Sequence, residues 1–468
     1  MIKCPNCTAG LEFDAKAQSV TCDYCGSTFD PKELKISAKK ASERKEKITD
    51  EKGTYEGRSY ACSQCGATLL TFDETAITFC SYCGSQAMIE EKLIKRNNPE
   101  FIIPFKKTKE DCVTAYKNKL AKSLFAPNYM KDDIVLSKFR GIYMPYCIYK
   151  LSCHGDTTNK GEKYSHRSGD YVYYDTYNIY ARVDADYDGV SYDMLSTFYD
   201  RFSHAIPHDA TEAEDFNINY LAGFYADTAD VSDHIYEDDA KAIAEADSTR
   251  HMRKDKKFAK YGCSNPKAKF EVSEKKVGMF PVYFLAIRDK ENKYINYAIV
   301  NGQTGKVAID LPVDFMKYIG FSLLLTIPLF LLINWFLVLT PKVVCVVSIV
   351  AAVISLIISF IQINSIQARE THSDDEGYMD VNISKKKNRK KKSYFGYTLK
   401  QILGIILGIF VLVMNFVADI YYYGAAVGIL LLVILSFYDL VKEHNLIVST
   451  KLPQLEKRGG SENETDVI

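Results

Sequence analysis

Eight of the 13 cysteines fall into two sets of four that share one spacing. Both sets read C-x2-C-x14-C-x2-C, and each cysteine of the second set lies 58 positions after its counterpart in the first. The sets are Cys4, Cys7, Cys22 and Cys25, then Cys62, Cys65, Cys80 and Cys83. Other residues match in the same register, such as Leu11 with Leu69 and Tyr24 with Tyr82. The pattern indicates that one module has been duplicated.

The cysteine spacing predicts a structural metal site in each module. Two thiolates from one tight turn and two from another can surround a metal ion tetrahedrally and leave no coordination position open. Soft sulfur ligands in this geometry favour zinc, with iron as the next alternative. We therefore expect two Zn²⁺ ions per chain and no catalysis at either ion. Because each module is too small to bury a core, metal binding must supply its folding energy.

Each module resembles a zinc ribbon of the transcription factor IIB type, with short strands expected at Leu11–Phe13 and Thr68–Phe72. Fold resemblance does not carry DNA binding with it. Residues 1–100 hold 14 basic and 15 acidic side chains, without the basic stripe that binds nucleic acid. Two roles stay open for the ribbons, namely recognition of a partner and the capping or positioning of a neighbouring domain.

The chain as a whole reads as a multidomain protein with two small zinc ribbons, a cytosolic α+β domain and an all-α, four-helix transmembrane region. The predicted boundaries are zinc ribbon 1 at 1–30, a charged helical linker at 31–57, zinc ribbon 2 at 58–92, the cytosolic α+β domain at 99–317, transmembrane hairpin 1 at 318–366, a basic cytosolic loop at 367–398, transmembrane hairpin 2 at 399–441 and a cytosolic tail at 442–468.

Local patterns predict the elements between the modules and in the α+β domain. Asp30-Pro31 should begin a solvated helix that runs to about Glu51. Further helices are predicted at Lys109–Phe125 and from Glu237 to about Arg253. Runs rich in Tyr, Ile and Val predict the strands Tyr143–Leu151, Tyr171–Val183, Val282–Asp289 and Tyr294–Val300.

Four apolar stretches of 18 to 21 residues carry no charged side chain: Ile319–Leu339, Val343–Ile363, Gln401–Ala418 and Ile420–Tyr438. A helix needs about 20 apolar residues to cross a bilayer, so four spans are predicted. Lys317, Arg369, Lys400 and Lys442 flank one side of these spans, and Lys342 is the lone basic residue on the other. Basic loops face the cytosol, so we expect a multi-pass cell-membrane protein with both termini cytosolic.

A dense basic cluster lies between the second and third apolar stretches. Its charged residues are Lys385, Lys386, Lys387, Arg389, Lys390, Lys391 and Lys392. The cluster sets the membrane topology under the positive-inside rule. Binding of anionic lipid headgroups is a possible additional role. The chain opens with Met1-Ile2-Lys3-Cys4 and shows no signal peptide, which agrees with cytosolic, reduced thiols.

The overall charge excludes a globally basic nucleic-acid binder, since 59 basic residues balance 59 acidic ones. The charge is uneven, however, because residues 151–250 hold 21 acidic and 7 basic side chains. This block is interpreted as solvated surface with internal ion pairs, or as a face for a basic partner. Nine tyrosines fall between Tyr164 and Tyr199, and we expect them on a half-buried sheet rather than on a binding platform.

Three further motifs are rejected as functional sites. The glycines of Gly302–Val307 are too closely spaced for a phosphate-binding loop and indicate a turn. Asp184–Gly189 copies the start of a calcium loop, but Leu195 stands where a bidentate Glu is needed, so a turn is predicted. His204 and His208 are four residues apart, but Pro207 interrupts any helix between them and no adjacent Glu completes a metalloprotease pattern.

Several motifs in the first two thirds of the chain are similar to those of a poorly characterised family of bacterial membrane-anchored zinc-ribbon proteins. They are Ile103–Phe105, Phe125–Pro127, Gly141–Tyr146, Tyr220–Tyr225, Pro281–Tyr283, Asn301–Val307 and Pro312. Members are often labelled primosomal replication-restart helicases, yet no nucleotide-binding loop is found here. The family usually has one ribbon, so the duplication is a departure. The resemblance implies a membrane-anchored zinc-ribbon protein and no reaction.

These observations favour a non-enzymatic, membrane-anchored adaptor that presents a cytosolic surface to a protein partner. A membrane-tethered nucleic-acid binder is the first alternative, although nucleic acid is disfavoured by the charge distribution. An enzyme that uses the acidic, Tyr-rich block is the second alternative. No nucleophile–base set supports it, so no catalytic residue is assigned.

Overall fold

A computed structural model describes residues 2–34, 53–72, 77, 79–86, 88–195, 198, 200–288, 294–336, 340–372, 395–448 and 450–451. Three sequence predictions lie outside these residues. They are the charged linker helix beyond residue 34, the basic cluster at 385–392 and the cytosolic tail beyond residue 451. At Asp30, the start of the predicted linker helix, the described residues form a single turn, in which the Leu34 N–H donates to the Asp30 carbonyl.

The described residues form two sheets and a set of flanking helices. A three-stranded sheet holds β1 (Glu12–Asp14), β2 (Ser19–Thr21) and β3 (Thr28–Phe29). The other twelve strands form one continuous sheet, and they are β4 (Thr54–Cys62), β5 (Thr68–Thr71), β6 (Met88–Asn97), β7 (Phe101–Ile102), β8 (Arg140–Ser168), β9 (Tyr171–Asp193), β10 (Glu214–Asp215), β11 (Tyr225–Ala226), β12 (Glu271–Arg288), β13 (Tyr294–Asn301), β14 (Val307–Ile309) and β15 (Thr450–Lys451).

The large sheet joins the second cysteine module to the α+β domain. Its main path runs β10-β7-β12-β8-β11-β5-β4-β6, and β13 extends it from β12. The link is the short strand β11, in which Ala226 pairs with Leu70 of β5 and with Tyr143 of β8. The second module therefore shares the hydrogen-bonded framework of the domain.

Nine α-helices are described: α1 (Lys109–Ala121), α2 (Asp133–Leu136), α3 (Asp200–Ala205), α4 (Glu237–Met252), α5 (Lys256–Lys260), α6 (Phe315–Phe336), α7 (Pro341–His372), α8 (Phe395–Met414) and α9 (Ile420–Val448). Short 3-10 turns cover Asn128–Lys131, Ala210–Glu212 and Ile218–Leu221. At α1 the Thr108 side chain accepts from the Asp111 N–H, and Asp111 accepts in return from the Thr108 N–H. The predicted helix at Glu237 is confirmed, with Arg253 as its C-cap.

The strands β8 and β9 form a hairpin much longer than the sequence predicted. They pair from Tyr146 with Asp193 to Ser168 with Tyr171, around a turn in which Gly169 has φ +59°. Along the distal part, residues 162–176, every side chain is exposed. The prediction that the tyrosines lie on a half-buried sheet is therefore wrong for this part, because no layer of the described structure covers it.

The predicted turn at Asp184–Gly189 is also wrong, because this segment lies inside β9. Its alternating acids belong to an edge strand, on which every second side chain points to solvent. Gly189, with φ +93°, is associated with a break in the pairing register between Tyr149 and Leu151. The segment makes a bulge in the strand rather than a loop that could wrap an ion.

Three large apolar clusters lie against the large sheet, and a smaller one packs Phe258 of α5 with Ile179 of β9. One contains residues of α1 and, from the first cysteine module, Leu11, Phe13 and Val20. A second contains the four cysteines of the second module together with residues of α3, β12 and β13. The third lies between the base of the long hairpin and α4. Both cysteine modules are thus packed on the α+β domain.

The four apolar helices α6 to α9 follow β14 and pack mainly through α7, α8 and α9. Gln401 of α8 is fully buried there and donates to the hydroxyls of Ser355 and Ser359 of α7, at 3.1 and 2.9 Å. Lys400 forms an ion pair with Asp439 of α9 at the same end of the bundle. The side chains of α6 meet α9 through rings, with Phe315 and Tyr438 5.0 Å apart.

Two candidate metal centres

The sulfur atoms of each cysteine set lie close enough together to hold one metal ion. In the first set, Sγ of Cys4 lies 3.6 Å from that of Cys25, and Sγ of Cys7 lies 3.4 Å from that of Cys22. Within each set all ligand atoms lie within 4.8 Å of one another. Sulfurs held about 2.3 Å from a tetrahedral zinc lie about 3.8 Å apart, so the spacing suits such an ion.

The second set has the same arrangement. Sγ of Cys62 lies 3.6 Å from that of Cys83, and Sγ of Cys65 lies 3.7 Å from that of Cys80. Both predicted groups of four are therefore brought together by the fold, and each could hold a metal ion. With four sulfur donors on the ion, no position remains for a substrate or water, so the arrangement can cross-link the chain but cannot activate a ligand.

Four turns of nearly identical geometry position these thiols. In each, the N–H of the residue four positions after the first cysteine donates to the carbonyl of that cysteine at 2.8 Å. The donating residue has a positive φ in every turn: Thr8 (63°), Gly26 (68°), Gly66 (77°) and Gly84 (66°). The duplication seen in the sequence thus extends to the backbone. Thr8 is the exception, because a β-branched side chain is strained in this conformation.

The second site lies inside the protein. All four of its cysteines are at most 2% exposed, and they pack with Phe284 and Tyr297. The guanidinium of Arg288 donates from Nε to the carbonyl of Cys83 at 2.7 Å, which ties the last turn to the end of β12. Removal of this module would therefore open the core of the α+β domain.

Tyr82, between the last two cysteines, extends the second site towards β11. Its ring lies 5.0 Å from that of Phe284, and its hydroxyl donates to the carboxylate of Asp227. Burial raises the pKa of Asp227 to about 7, although the Tyr82 hydroxyl acts in the opposite direction. The Asp227 carboxylate also accepts from the Thr228 N–H at 2.7 Å. The residue after β11 is thereby locked to the metal-binding turn.

The first site lies at the surface, although its module is docked. Cys4 and Cys22 are 1% exposed, whereas Cys7 is half-buried and Cys25 is exposed. The Ser27 hydroxyl, 3.2 Å from the Cys25 sulfur, and the Ser27 N–H lower the pKa of the Cys25 thiol to about 6. Burial and the neighbouring thiols raise the pKa of Cys7 to about 12, despite a hydrogen bond with the Ala9 backbone that lowers it.

Backbone contacts attach the first module to the rest of the protein. The Phe13 N–H donates to the Ala222 carbonyl at 3.1 Å, and the Phe13 ring lies 5.3 Å from that of Tyr220. The Gln18 amide donates to the Phe105 carbonyl at 2.7 Å. These contacts use two of the segments that carry the family resemblance, around Phe105 and Tyr220. Those segments therefore form the surface on which the first cysteine module packs.

Sequence reasoning missed the residues that embed the second site. Tyr24 and Tyr82 occupy equivalent positions in the two modules, but Tyr24 is 83% exposed and Tyr82 is fully buried. Nothing in the sequence near Asp227 marks it as the partner of Tyr82. The sequence also gives no sign that Arg288, at the end of the strand predicted at Val282–Asp289, contacts the second site, because charged residues are usual where a strand meets solvent.

The remaining motifs form no further site. Gly302–Gly305 is a turn between β13 and β14, as predicted, and only Gly305 of its glycines has a positive φ. A side chain at Gly302 would collide with the Phe105 ring at 2.4 Å. His204 is in α3, and His208 lies beyond it, with a pKa lowered to about 4 by burial against Tyr146 and Phe280. No ligand set links these two histidines among the described residues.

Two of the apolar helical segments, Pro341–Ser365 and Ile420–Leu446, are long and apolar enough to cross a membrane, judged by length and composition. Two shorter apolar segments, Phe315–Leu324 and Thr398–Met414, accompany them. A core helix of a soluble protein can meet the same criterion. The structure thus agrees with a membrane association at the level of two helices.

Comparison with known proteins adds one relative of undetermined role. The chain is 28% identical over 323 residues to the uncharacterized protein YdjG of Bacillus subtilis (strain 168). The similar region covers 67% of this chain and 90% of YdjG. No family model matches the sequence, and no solved structure gives a significant match. Fold and site therefore define a multidomain α+β protein with two four-cysteine centres that fit zinc ribbons.

Proposed function

We propose that this protein is a non-enzymatic membrane-anchored adaptor, in which two zinc ribbons and the α+β domain present the long β8–β9 hairpin to a cytosolic protein partner. The exposed tyrosines at the end of the hairpin are the observation that carries the proposal. They are Tyr164 (58% exposed), Tyr171 (73%), Tyr173 (48%) and Tyr174 (57%), and Tyr180 (66%) follows further along β9. Tyrosine is enriched in protein interfaces and at their energetic hot spots.

Zinc has a structural role in this proposal. Each ion, when bound, cross-links two turns through four thiolates. The second ion supports the core from which β8 and β12 extend, since its cysteines pack with residues of both strands. The first ion holds a module that covers the opposite part of the domain around Tyr220. Zinc is favoured over iron because two tight turns that supply four thiolates are typical of structural zinc sites.

The proposed anchor consists of four membrane spans with both chain ends on the cytosolic side. Its support is that α6 begins, and α9 ends, against the same α+β domain. Asn445, in the last turn of α9, is hydrogen-bonded to Val313, two residues before α6. An even number of crossings is required for this arrangement. The Lys and Arg residues of segments 364–400 and 442–451 then face the cytosol.

The adaptor proposal is tested by site-specific photo-crosslinking of the full-length protein in intact cells. A photoreactive phenylalanine analogue at Tyr173 should form discrete crosslinked products. The same analogue at Tyr24, which is more exposed than Tyr173 (83% against 48%) but lies on the first ribbon, is the control. Absence of products at Tyr173, or the same products at both positions, would contradict the assignment of the hairpin as the partner surface.

Nucleic-acid binding is the alternative that the hairpin itself could suggest, since bases stack on exposed aromatic rings. The charge of the hairpin argues against nucleic-acid binding. Residues 160–176 hold three basic and three acidic side chains, so they offer no net attraction to phosphate. A gel-shift titration of the full-length protein with single-stranded and duplex DNA or RNA decides between the two. Micromolar or tighter binding that weakens with salt would replace the adaptor proposal.

A further inference from the structure

We infer that the loop after α1, residues 122–128, dips into the cytosolic headgroup layer of the membrane and holds an anionic phospholipid in a cleft against the start of α6. This inference rests on the proposed membrane anchor and extends it with a lipid-binding site. The cleft has a volume of about 310 Å³ and is lined by Lys122, Ser123, Leu124, Phe125, Ala126, Leu311, Pro312 and Val313.

The depth of the loop follows from its contacts with α6. The Phe125 ring lies 5.3 Å from that of Tyr318 and 5.7 Å from that of Phe321. Phe321 is six residues into α6, which corresponds to about 9 Å along the helix axis. It also lies two residues inside the apolar stretch that begins at Ile319. Phe125 is therefore level with the boundary between headgroups and hydrocarbon.

Other contacts hold the loop at this level. The Lys317 ammonium donates to the Ala126 carbonyl and to Oδ1 of Asn128, the latter at 2.7 Å. The Asp314 N–H donates to the Phe125 carbonyl at 2.8 Å, and the Asp314 carboxylate accepts from the Met316 N–H at 3.0 Å as the cap of α6. The loop is thus hydrogen-bonded to the start of α6. The carboxylate of Asp314 already accepts a hydrogen bond as the cap of this helix.

The chemistry of the exposed surface fits a lipid. Leu124 is 65% exposed and Met316 is 75% exposed, although both lie near the start of α6, where the chain reaches the proposed membrane. Aromatic residues cluster at this level, since Tyr318 contacts Phe437 and Phe315 contacts Tyr438. Aromatic belts of this kind mark the membrane–water interface. The side chains of Leu124 and Met316 would then contact acyl chains, and Lys122 and Ser123 would face the headgroups.

The charge of the segment selects an anionic headgroup. Residues 112–131 hold four lysines and no acidic residue; Lys117 is paired with Asp133 at 2.9 Å, whereas Lys122 lines the cleft. Lysines near the surface of an anionic leaflet each contribute about 1 kcal/mol of attraction, which corresponds to about a fivefold change in affinity. The lining of the cleft includes none of the basic residues of 385–392.

The natural tryptophan makes the depth measurable. Trp335 is the single tryptophan and is 87% exposed on α6. In full-length protein reconstituted into bilayers with brominated phosphatidylcholine, quenching of Trp335 reports the anchor alone. The Leu124→Trp variant in a Trp335→Phe background then reports the loop, and Tyr171→Trp in the same background is the control at the far hairpin tip. We expect quenching at positions 335 and 124 and none at 171.

Lipid selectivity is measured by native mass spectrometry of detergent-purified protein offered phosphatidylglycerol or phosphatidylcholine. Wild type should retain phosphatidylglycerol in preference, and Lys122→Ala should weaken that retention about fivefold. Lys119→Ala removes an equal charge from α1 outside the cleft and should weaken retention less than Lys122→Ala does. Quenching at 335 without quenching at 124, or equal effects of the two lysine variants, would overturn the lipid site. Absence of quenching at 335 would overturn the membrane anchor itself.

Discussion

The side-chain amide of Asn445 makes a two-point hydrogen bond with the backbone of Val313. Its Oδ1 accepts from the Val313 N–H at 2.8 Å, and its Nδ2 donates to the Val313 carbonyl at 2.9 Å. The adjacent His444 ring nitrogen lies 3.3 Å from the Leu311 carbonyl. Two residues separated by the whole apolar region are thus joined at one point, and this fixes where that region must leave and rejoin the domain.

The first prediction concerns topology. Reporter fusions at Gly53, Thr340, Lys390 and the C-terminus of the chain should place Thr340 alone outside the cytosol. The physical reason is that α6 and α9 meet at the domain, so the turn before α7 must lie at the far end of the bundle. There Lys342 donates to Asn415 at 2.7 Å, which brings together the turns of both hairpins. A C-terminal fusion that reports from outside would show an odd number of spans.

The second prediction concerns metal content and its loss. Elemental analysis should give two zinc ions per chain, and an excess of chelator should remove them in two phases of one ion each. The fast phase belongs to the first site, because Cys25 is exposed while every cysteine of the second site is buried. Cys25→Ser should abolish the fast phase and leave the slow one. A single phase, or loss of the slow phase in Cys25→Ser, would refute the assignment.

The third prediction uses the one β-branched residue among the four metal-binding turns. Thr8 at φ 63° should cost about 1–2 kcal/mol of strain, so Thr8→Gly should slow zinc loss from the first site. The gain is partly offset by about 0.5–1 kcal/mol from the greater freedom of glycine in the unfolded chain. Gly66→Thr should accelerate loss from the second site. Gly10→Thr is the control, since nothing lies near its Cβ position and its φ is not positive.

The fourth prediction concerns pH. Asp227 has an ordinary pKa of 3.8, and burial raises its pKa to about 7 in the folded protein. Between these values the folded state holds a proton that the unfolded chain has released. The free energy of unfolding therefore falls as pH rises from about 4 to about 7, by up to about 4 kcal/mol. Below pH 4 the contribution is complete, and above pH 7 it is lost.

The variant Asp227→Asn isolates this effect, because an amide keeps an acceptor for the Tyr82 hydroxyl and does not ionise. The difference in thermal midpoint between the variant and wild type should grow in favour of the variant from pH 5 to pH 8. Taking the difference at each pH removes the titration of the thiols, which both proteins share. A difference that stays constant over this range would show that Asp227 does not carry the pH dependence.

Local signals in the sequence predicted the two groups of four cysteines and several elements correctly. The cysteine spacing requires only that two turns face each other, and that geometry is set within 22 residues of the chain. The helix at Glu237 ended within one residue of its predicted limit, because acids open its first turn and Arg250 and His251 lie in its last. Where the determinants of a feature are close in sequence, the prediction held.

Features set by distant contacts were not predictable. Tyr24 and Tyr82 hold the same place in a duplicated pattern, yet only Tyr82 meets a sheet, and that sheet depends on pairing between Ala226 and Leu70. The length of the β8–β9 hairpin was underestimated because polar, charged segments such as Lys160–Ser168 lack the alternation of a half-buried strand. An exposed hairpin needs no such alternation, since neither of its faces is covered.

The short strand β15 has a consequence for the synthesis of the protein. Thr450 pairs with Ile295 and Lys451 with Tyr294, at the edge of β13 next to β14. A ribosome reaches Thr450 about 155 residues after Ile295, which takes roughly 10–30 s at usual elongation rates. All four apolar helices emerge in that interval. During this interval, the edge of β13 at Tyr294 and Ile295 has not yet received β15. If synthesis stalls within α9, that edge can pair with another polypeptide.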